Sequence, residues 1–275
     1  MRNLMIKKLV IISIFTLSLS LLANPLKAGT TGSEELSSNN QDTAEECFEG
    51  VSRAMFKFNH VMDKAIFKPV AKGYRALPAP IRKGTGNVVD NLRSLLTVSN
   101  NLLQGDFDRA GNTAARFGIN TTAGILGIFD PATRLGFEDQ GKEDFGQTLG
   151  RWGSGTGCYF VLPILGPTTT RDAIGLVGNI FIDPVYQITH NTEIDNGVVG
   201  NSNYSEHNYY YYRGTGAVDF RAKNIESWDS LEENSIDLYA SLKSLYLQNR
   251  KQKIANSTST IETQDDSDWE EIDTN

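Results

Sequence analysis

The apolar segments of this chain are short and interrupted, and this limits the folds open to it. Residues 119–129 and 174–182 are mainly apolar, but glycines punctuate both, and the pairs Asp130-Pro131 and Asp183-Pro184 end them. A helix needs about 20 apolar residues to cross a bilayer, so neither segment can span one. Each is therefore either a helix buried in a core or a re-entrant segment that enters lipid partway.

Apolar residues elsewhere recur at helical spacing. The first predicted helix carries an apolar stripe made of Ala54, Phe58, Val61, Met62, Ala65 and Ile66. We expect Pro69 to bend or end this helix, because proline lacks a backbone N–H donor. Further helices are predicted over about residues 87–104, from near Asp106, and over about residues 218–250. No run of alternating strands is recognisable, and residues 189–216 look like a loop or insertion. The predicted fold class is therefore mainly α, a single domain of amphipathic helices.

The N-terminus has the layout of a secretory signal peptide. Basic residues precede an apolar run over residues 9–23, which is too short for a membrane span, and a small-residue site at 26–28 follows it. We predict a signal peptide over residues 1–28, a flexible leader over 29–45, a folded domain over 46–250 and an acidic disordered tail over 251–275.

The mature chain is strongly acidic. Loss of the signal peptide leaves 22 basic and 33 acidic residues, a net charge of −11. We expect no nucleic-acid partner, because basic patches supply most of that affinity. The only two cysteines, Cys47 and Cys158, would meet an oxidising compartment, where they either form one disulfide or stay as buried thiols.

No motif for catalysis or metal binding is recognisable. The histidines His60, His190 and His207 lack ligand spacing, and no G-x-S-x-G elbow is present. The glycine-rich stretch 146–167 does not match a dinucleotide fingerprint. Acidic pairs such as Glu143-Asp144 are interpreted as solvated loop charges. We therefore predict no catalytic residue, no metal and no cofactor.

Five stretches together resemble one known family. They are EGVSRAMFKFN (49–59), KPVAKGYRALPAPIRKGTGNVVDNL (68–92), NNLLQGD (100–106), RFGINTTAGILGIFD (116–130) and EDFGQTLGRWGSGTGCYFVLPILGP (143–167). This pattern is similar to that of the MlaA/VacJ family of outer-membrane phospholipid-transport proteins. The likeness covers about residues 46–250, nearly the whole predicted domain.

The resemblance implies a fold, a location and partners. It implies a ring-like helical body in one leaflet of the outer membrane, at its periplasmic face, with an amphipathic channel. It also implies association with a porin trimer and hand-over of mislocalised phospholipids to a periplasmic lipid carrier protein. A porin-associated scaffold without transport and a phospholipid-modifying enzyme are the alternatives.

The chain departs from the family at its cysteines. Members of the family commonly begin as lipoproteins, whereas the first cysteine here is Cys47, so no lipid attachment near the cleavage site is expected. Cys47 and Cys158 each stand where the family pattern has proline. The resemblance leads us to predict a disulfide between them, which requires Cα atoms within about 7 Å.

The resemblance also places a channel and its rim in the glycine-rich stretch. The predicted residues are Arg151, Gly153, Gly155, Gly157, Tyr159, Phe160, Arg171 and Asp172. Tyr159 and Phe160 are predicted as apolar lining, and the charged residues as polar contacts. Turn geometry and helix capping are the alternative roles for these residues.

Overall fold

The computed structural model describes residues 44–190 and 206–255 of the 275-residue chain. Its helices are α1 (Glu49–Met62), α2 (Lys68–Arg75), α3 (Ala79–Leu103), α4 (Phe107–Thr122), α5 (Pro131–Arg134), α6 (Phe145–Arg151), α7 (Thr170–Ile182), α8 (Pro184–His190), α9 (Glu206–Lys223), α10 (Ile225–Asn234) and α11 (Leu238–Ile254). Strands β1 (Tyr159–Leu162) and β2 (Gly166–Thr169) lie between α6 and α7. The mainly α, single-domain fold class is confirmed. No helix in the described part of the chain combines the length and the apolar character needed to cross a membrane.

Helical structure continues through Pro69, so Pro69 does not end the helix, which was one of the two predicted outcomes. A π-helical turn over Asp63–Phe67 joins α1 to α2, and Pro69 lies in the first turn of α2. The first turn of a helix tolerates proline, because its N–H groups have no intrahelical partner to lose.

Helices α3 and α4 pack against each other as an antiparallel pair. Helix α3 begins at Ala79, earlier than predicted. Helix α4 begins after its N-cap residue Asp106, whose side chain accepts a hydrogen bond from the Arg109 N–H. The buried side of α3 is largely polar: Asn91, Thr97, Asn100 and Asn101 are buried, together with Leu96. Its leucines at 102 and 103 are exposed. The apolar residues of α3 are thus only partly buried.

The prediction missed a short antiparallel hairpin formed by β1 and β2. Its register pairs Tyr159 with Thr169 and Leu162 with Gly166. The side chain of Asn59 in α1 holds the hairpin turn. Its Nδ2 donates to the Leu162 carbonyl, and its Oδ1 accepts from the Ile164 N–H. Two strands of four residues offer too little alternation to be recognised in a sequence.

The main apolar core lies against this hairpin. Tyr159, Val161 and Tyr239 are buried there together with Ala44, and Met55, Phe56, Tyr246 and Leu247 pack around them. The predicted pair Cys47 and Cys158 is joined in a disulfide beside this core, with Cα atoms 5.5 Å apart. That distance lies within the range that a disulfide allows. The bond ties the start of the described domain to the hairpin.

The C-terminal part is not one long helix, as predicted, but three. Helix α9 starts at Glu206, inside the predicted 189–216 loop, and runs to Lys223, while α10 starts at Ile225. Helix α11 starts where the Asp237 side chain accepts a hydrogen bond from the Ala240 N–H. This helix extends to Ile254, into the predicted tail. A near-heptad apolar spacing continues across these breaks, so it does not by itself reveal them.

One buried arginine of α11 joins the N-terminal ends of α6 and α7. Arg250 donates two hydrogen bonds to Asp144, of 2.6 and 3.0 Å, and two to Asp172, of 2.7 and 3.0 Å. Helices α6 and α7 approach so closely that a Cβ on Gly175 would lie 2.4 Å from the Gly146 nitrogen. Burial alone would raise the pKa of Asp144, but hydrogen bonds and charge from Arg250 outweigh it and hold that pKa far below its usual range. The pKa of Asp172 is lowered for the same reasons.

Three predicted segments lie outside the described residues. They are the signal peptide at 1–28, almost all of the leader at 29–45, and the acidic tail from residue 256 onward. Residues 191–205 of the predicted loop are also outside them.

The disulfide is expected to stabilise the domain by closing a loop of 111 residues in the unfolded chain. The double variant C47S/C158S should lower the free energy of unfolding by about 2–4 kcal/mol. Denaturant unfolding of the oxidised protein, with and without reductant, measures this change. The double variant is the control, since reductant should leave its midpoint unmoved; equal midpoints for reduced and oxidised wild type would contradict the prediction.

Arg250→Met should lower the free energy of unfolding at pH 7 by about 3–5 kcal/mol, because it removes the cation that bridges the partly buried Asp144 and the buried Asp172, and Asp172 keeps only Arg171 as a partner. The folded-state pKa values of Asp144 and Asp172 are depressed, so their contribution is present above the unfolded pKa near 4 and is lost as pH falls through the folded values. The difference between wild type and variant should therefore shrink in denaturant unfolding at pH 3.

Arg75→Met is the matched control for this prediction. Arg75 forms an exposed ion pair with Glu226, so its loss should cost at most about 1 kcal/mol. An Arg250→Met effect no larger than that of Arg75→Met would show that the Arg250 cluster does not stabilise the fold.

Candidate functional site

Helix α3 forms a wall of two different cavities. The first is polar, has a volume of about 220 Å³, and lies among α3, α4 and the segment from Asp130 to Lys142. Its lining consists of Asn87, Asp90, Asn91, Ser94, Thr97, Thr113, Arg116, Asn120, Asp130, Thr133, Asp139, Gly141 and Lys142. Every side chain in this lining is polar or charged, so the cavity suits a hydrophilic ligand.

Arg116 and Asp130 form the inner ion pair of the polar cavity. Arg116 donates to the Asp130 carboxylate at 3.0 Å, to the Thr133 hydroxyl at 3.0 Å and to the Phe137 carbonyl. Asp130 also accepts from the Asn120 amide and caps α5 through the Thr133 N–H. Burial acts to raise the pKa of Asp130, but the bonds from Thr133 and Asn120 and the charge of Arg116 lower it overall. This part of the cavity is built into the fold.

The outer part of the polar cavity carries a more exposed ion pair. Lys142 donates to Asp90, and the side chains of both residues remain more than a third exposed. Asp139 lies beside them, exposed, and accepts from the Gly141 N–H. Surface pairs of this kind contribute little to stability, so these three residues can be changed with little risk to the fold.

The second cavity is an apolar groove of about 630 Å³ between α3 and α9. Its lining consists of Pro80, Ile81, Gly84, Thr85, Val88, Val89, Leu92, Ile128, Tyr211, Tyr212 and Thr215. The volume lies in the range of about 300–1,000 Å³ that small-molecule sites occupy. A groove of this size and lining suits an extended hydrocarbon chain.

The turn over residues 123–129, which we call the strap, lies at the boundary between the two cavities. The Asn87 amide donates to the Ile128 carbonyl, and a Cβ on Gly127 would lie 2.6 Å from the Asn91 Cβ. Ile125 and Leu126 have positive φ angles of 53° and 56°. Such a conformation is rare for isoleucine and costs free energy, and residues held in it cluster at functional sites.

Three exposed apolar patches accompany the cavities. Ile125, Leu126 and Phe129 of the strap are exposed, as are Ile164 and Leu165 at the hairpin turn. On α7, the exposed apolar residues are Ile174, Leu176, Val177, Ile180 and Phe181, the last 65% exposed. Apolar patches of this kind mark contact sites for lipid or for other proteins.

The predicted rim residues lie elsewhere. None of them lines either of these two cavities. Tyr159, predicted as lining, is fully buried in the apolar core, where it packs edge-on against Tyr239. Phe160 is half-buried on β1, and Arg151 is exposed at the end of α6.

The remaining predicted residues have structural contacts of their own. Gly153 and Gly155 are exposed with open space around them, whereas a Cβ on Gly157 would lie 2.9 Å from the Thr170 Cβ. Arg171 and Asp172 are buried and paired with each other, and Thr169, not either of them, caps α7. A part for the glycine-rich stretch in a channel rim stays a prediction.

The cavity-lining residues of α3 were missed, although the sequence carries a signal for them. Asn87, Asp90, Asn91, Ser94 and Thr97 follow one another at helical spacing and form a polar stripe. Such a stripe ordinarily faces water, which hides its role. Two carboxylates were also misjudged as solvated: Glu143 is buried and accepts from Gln104, and Asp144 is partly buried and pairs with Arg250. No cluster of metal-ligating side chains occurs in the described ranges.

The sequence and the fold of this chain both match known proteins. The MlaA lipoprotein family matches residues 44–253. A Rickettsia prowazekii protein is 38% identical over 146 residues, 52% of this chain and 58% of that relative. The Haemophilus influenzae intermembrane phospholipid transport system lipoprotein MlaA is 32% identical over 227 residues, 78% of this chain and 84% of its own. A solved structure described as the structural basis for maintenance of bacterial outer membrane lipid asymmetry superposes with a TM-score of 0.65. It shows 29% identity and covers 77% of this chain and 99% of its own. The chain therefore belongs to the MlaA lipoprotein family.

Proposed function

We propose that this protein acts in an outer-membrane phospholipid transport system, with its apolar groove receiving acyl chains as lipids pass. The observation that carries the proposal is the amphipathic wall made by α3, with an apolar groove of about 630 Å³ on one side and a polar cavity on the other. A phospholipid has the same two kinds of surface. Moving it between leaflets or carriers makes and breaks no covalent bond, so the site needs no nucleophile, metal or cofactor.

The exposed apolar patches support a location in lipid. Helix α7 and the strap expose large aliphatic and aromatic side chains, which would be costly in water and favourable at the headgroup–acyl boundary. From these patches and the family resemblance, we propose that the domain lies in the periplasmic leaflet of the outer membrane as a ring-like body.

The proposal extends to direction and partners by family resemblance. The protein would remove mislocalised phospholipids from the outer leaflet through an amphipathic channel and pass them to a periplasmic lipid carrier. It would be held beside a porin trimer. The names of the relatives support the part of this extension that concerns phospholipid transport and lipid asymmetry, whereas the porin, the carrier and the direction rest on the family resemblance alone.

Filling the apolar groove tests the proposal. Val88→Trp should sharply lower the amount of phospholipid that copurifies with the mature protein, when the protein is exported to the periplasm and purified in mild detergent. If the tryptophan displaces only two methylene groups of an acyl chain from the groove, at about 0.8 kcal/mol each, the affinity for lipid falls about tenfold. Mass spectrometry of the extracted lipids measures the effect.

Val51→Trp is the matched control, since Val51 is exposed on α1 and outside the groove. Equal amounts of copurified phospholipid on the two folded variants would show that the groove does not bind the acyl chains. Absence of lipid from wild type, with porin binding retained, would favour a scaffold. Release of free fatty acid from added phospholipid would instead favour a phospholipid-modifying enzyme.

A further inference from the structure

The polar cavity adjoins the apolar groove along one strip of α3. Gly84 and Val88 line the groove, while Asn87 and Asn91, their neighbours on the helix surface, line the polar cavity. The strap crosses this strip, and its Ile128 lines the groove. A lipid whose chains occupy the groove would therefore have its polar end close to the polar cavity.

The size of the polar cavity limits what can enter it. At about 220 Å³ it is about a third of the volume of the apolar groove and lies below the range of about 300–1,000 Å³ of most small-molecule sites. A group as small as phosphoethanolamine is compatible with that volume. A whole lipid with its chains does not fit, so only a headgroup can be accommodated.

The charges of the lining favour a ligand that carries a cation. Three carboxylates (Asp90, Asp130 and Asp139) face two cations (Arg116 and Lys142), which gives a net charge of −1. Both cations pair with a carboxylate of the same lining, Arg116 with Asp130 and Lys142 with Asp90. The third carboxylate, Asp139, pairs with neither of these cations. It accepts a hydrogen bond from the Gly141 N–H, which does not neutralise its charge.

The same lining offers donors to a phosphate. Arg116 spends three of its five N–H donors on Asp130, Thr133 and Phe137 within the described structure. Lys142 adds an ammonium group at the more exposed end. A phosphate between these cations, with an amine directed at Asp139, would satisfy both signs of charge.

We propose that the polar cavity binds the headgroup of a zwitterionic, amine-bearing phospholipid in preference to an anionic one. This inference rests on the proposed function and adds a headgroup selectivity to it. An anionic headgroup would bring a phosphate without an ammonium group into a lining that is already net negative. The selectivity belongs to Asp90 and Asp139, the two carboxylates outside the inner pair.

The test measures which lipid the mature protein selects from vesicles of equal phosphatidylethanolamine and phosphatidylglycerol. After repurification in mild detergent, wild type should carry more phosphatidylethanolamine than the vesicles supply. Asp90→Asn and Asp139→Asn should each reduce that enrichment by up to about fivefold, the scale of a half-exposed charge interaction. Asp229→Asn is the matched control, because Asp229 pairs with Lys68 outside this cavity. A bound ratio equal to that of the vesicles, or variants that behave like Asp229→Asn, would overturn the proposal.

A second arm separates this proposal from the proposed function. Soluble glycerophosphoethanolamine should raise the melting temperature of wild type more than glycerophosphoglycerol or inorganic phosphate does, and Asp139→Asn should remove the difference. If no lipid binds but this difference is present, the transport proposal fails and the headgroup site stands. Equal shifts with all three compounds, or no shift with any, would overturn the headgroup site.

Discussion

The structure depends on hydrogen bonding within an interior that is unusually polar. Among the described residues, 16 buried side chains are polar or charged and 10 are apolar. A buried polar group without a partner costs about 1–3 kcal/mol, so these groups fix the helices in one register. Asn100 of α3 accepts from Thr148 of α6, and Gln104 donates to both Thr148 and Glu143. These bonds lock α3, the helix that lines both cavities, onto α6.

The same constraint explains how far the sequence could predict the fold. Helical spacing identified α1, α3 and α4 and the mainly α class, because a stripe at that spacing arises whether its residues face a core or lipid. Burial on α3 does not follow polarity, since its amides are buried together with Leu96 while Leu102 and Leu103 are exposed. Polarity alone therefore does not tell the inner face of this helix from the outer one.

The breaks between the three C-terminal helices were not predicted, for a different reason. Asn224 and Asp237 end and restart helices inside one apolar repeat, and each acts through a single turn of backbone. The pairing of Cys47 with Cys158 followed from the positions at which the chain departs from its family, since 111 residues separate them and spacing carries no information. The cavity residues form a stripe visible in the sequence, but they are enclosed by the segment from Asp130 to Lys142, which follows the strap. The strap depends on Ile125 and Leu126 adopting a backbone conformation that their residue types disfavour.

The stabilising contacts and the two cavities lie in different parts of the molecule. The disulfide, the tyrosine core and the Arg250 cluster all lie among α1, the hairpin, α6, α7 and α11. Both cavities lie instead among α3, α4, α9, the strap and the segment from Asp130 to Lys142. The bonds of Asn100 and Gln104 to α6 and its N-terminal flank connect the two parts directly. A covalently and electrostatically fixed frame can therefore hold one end of α3 in place. The other end, beside the strap, separates an apolar groove from a polar cavity.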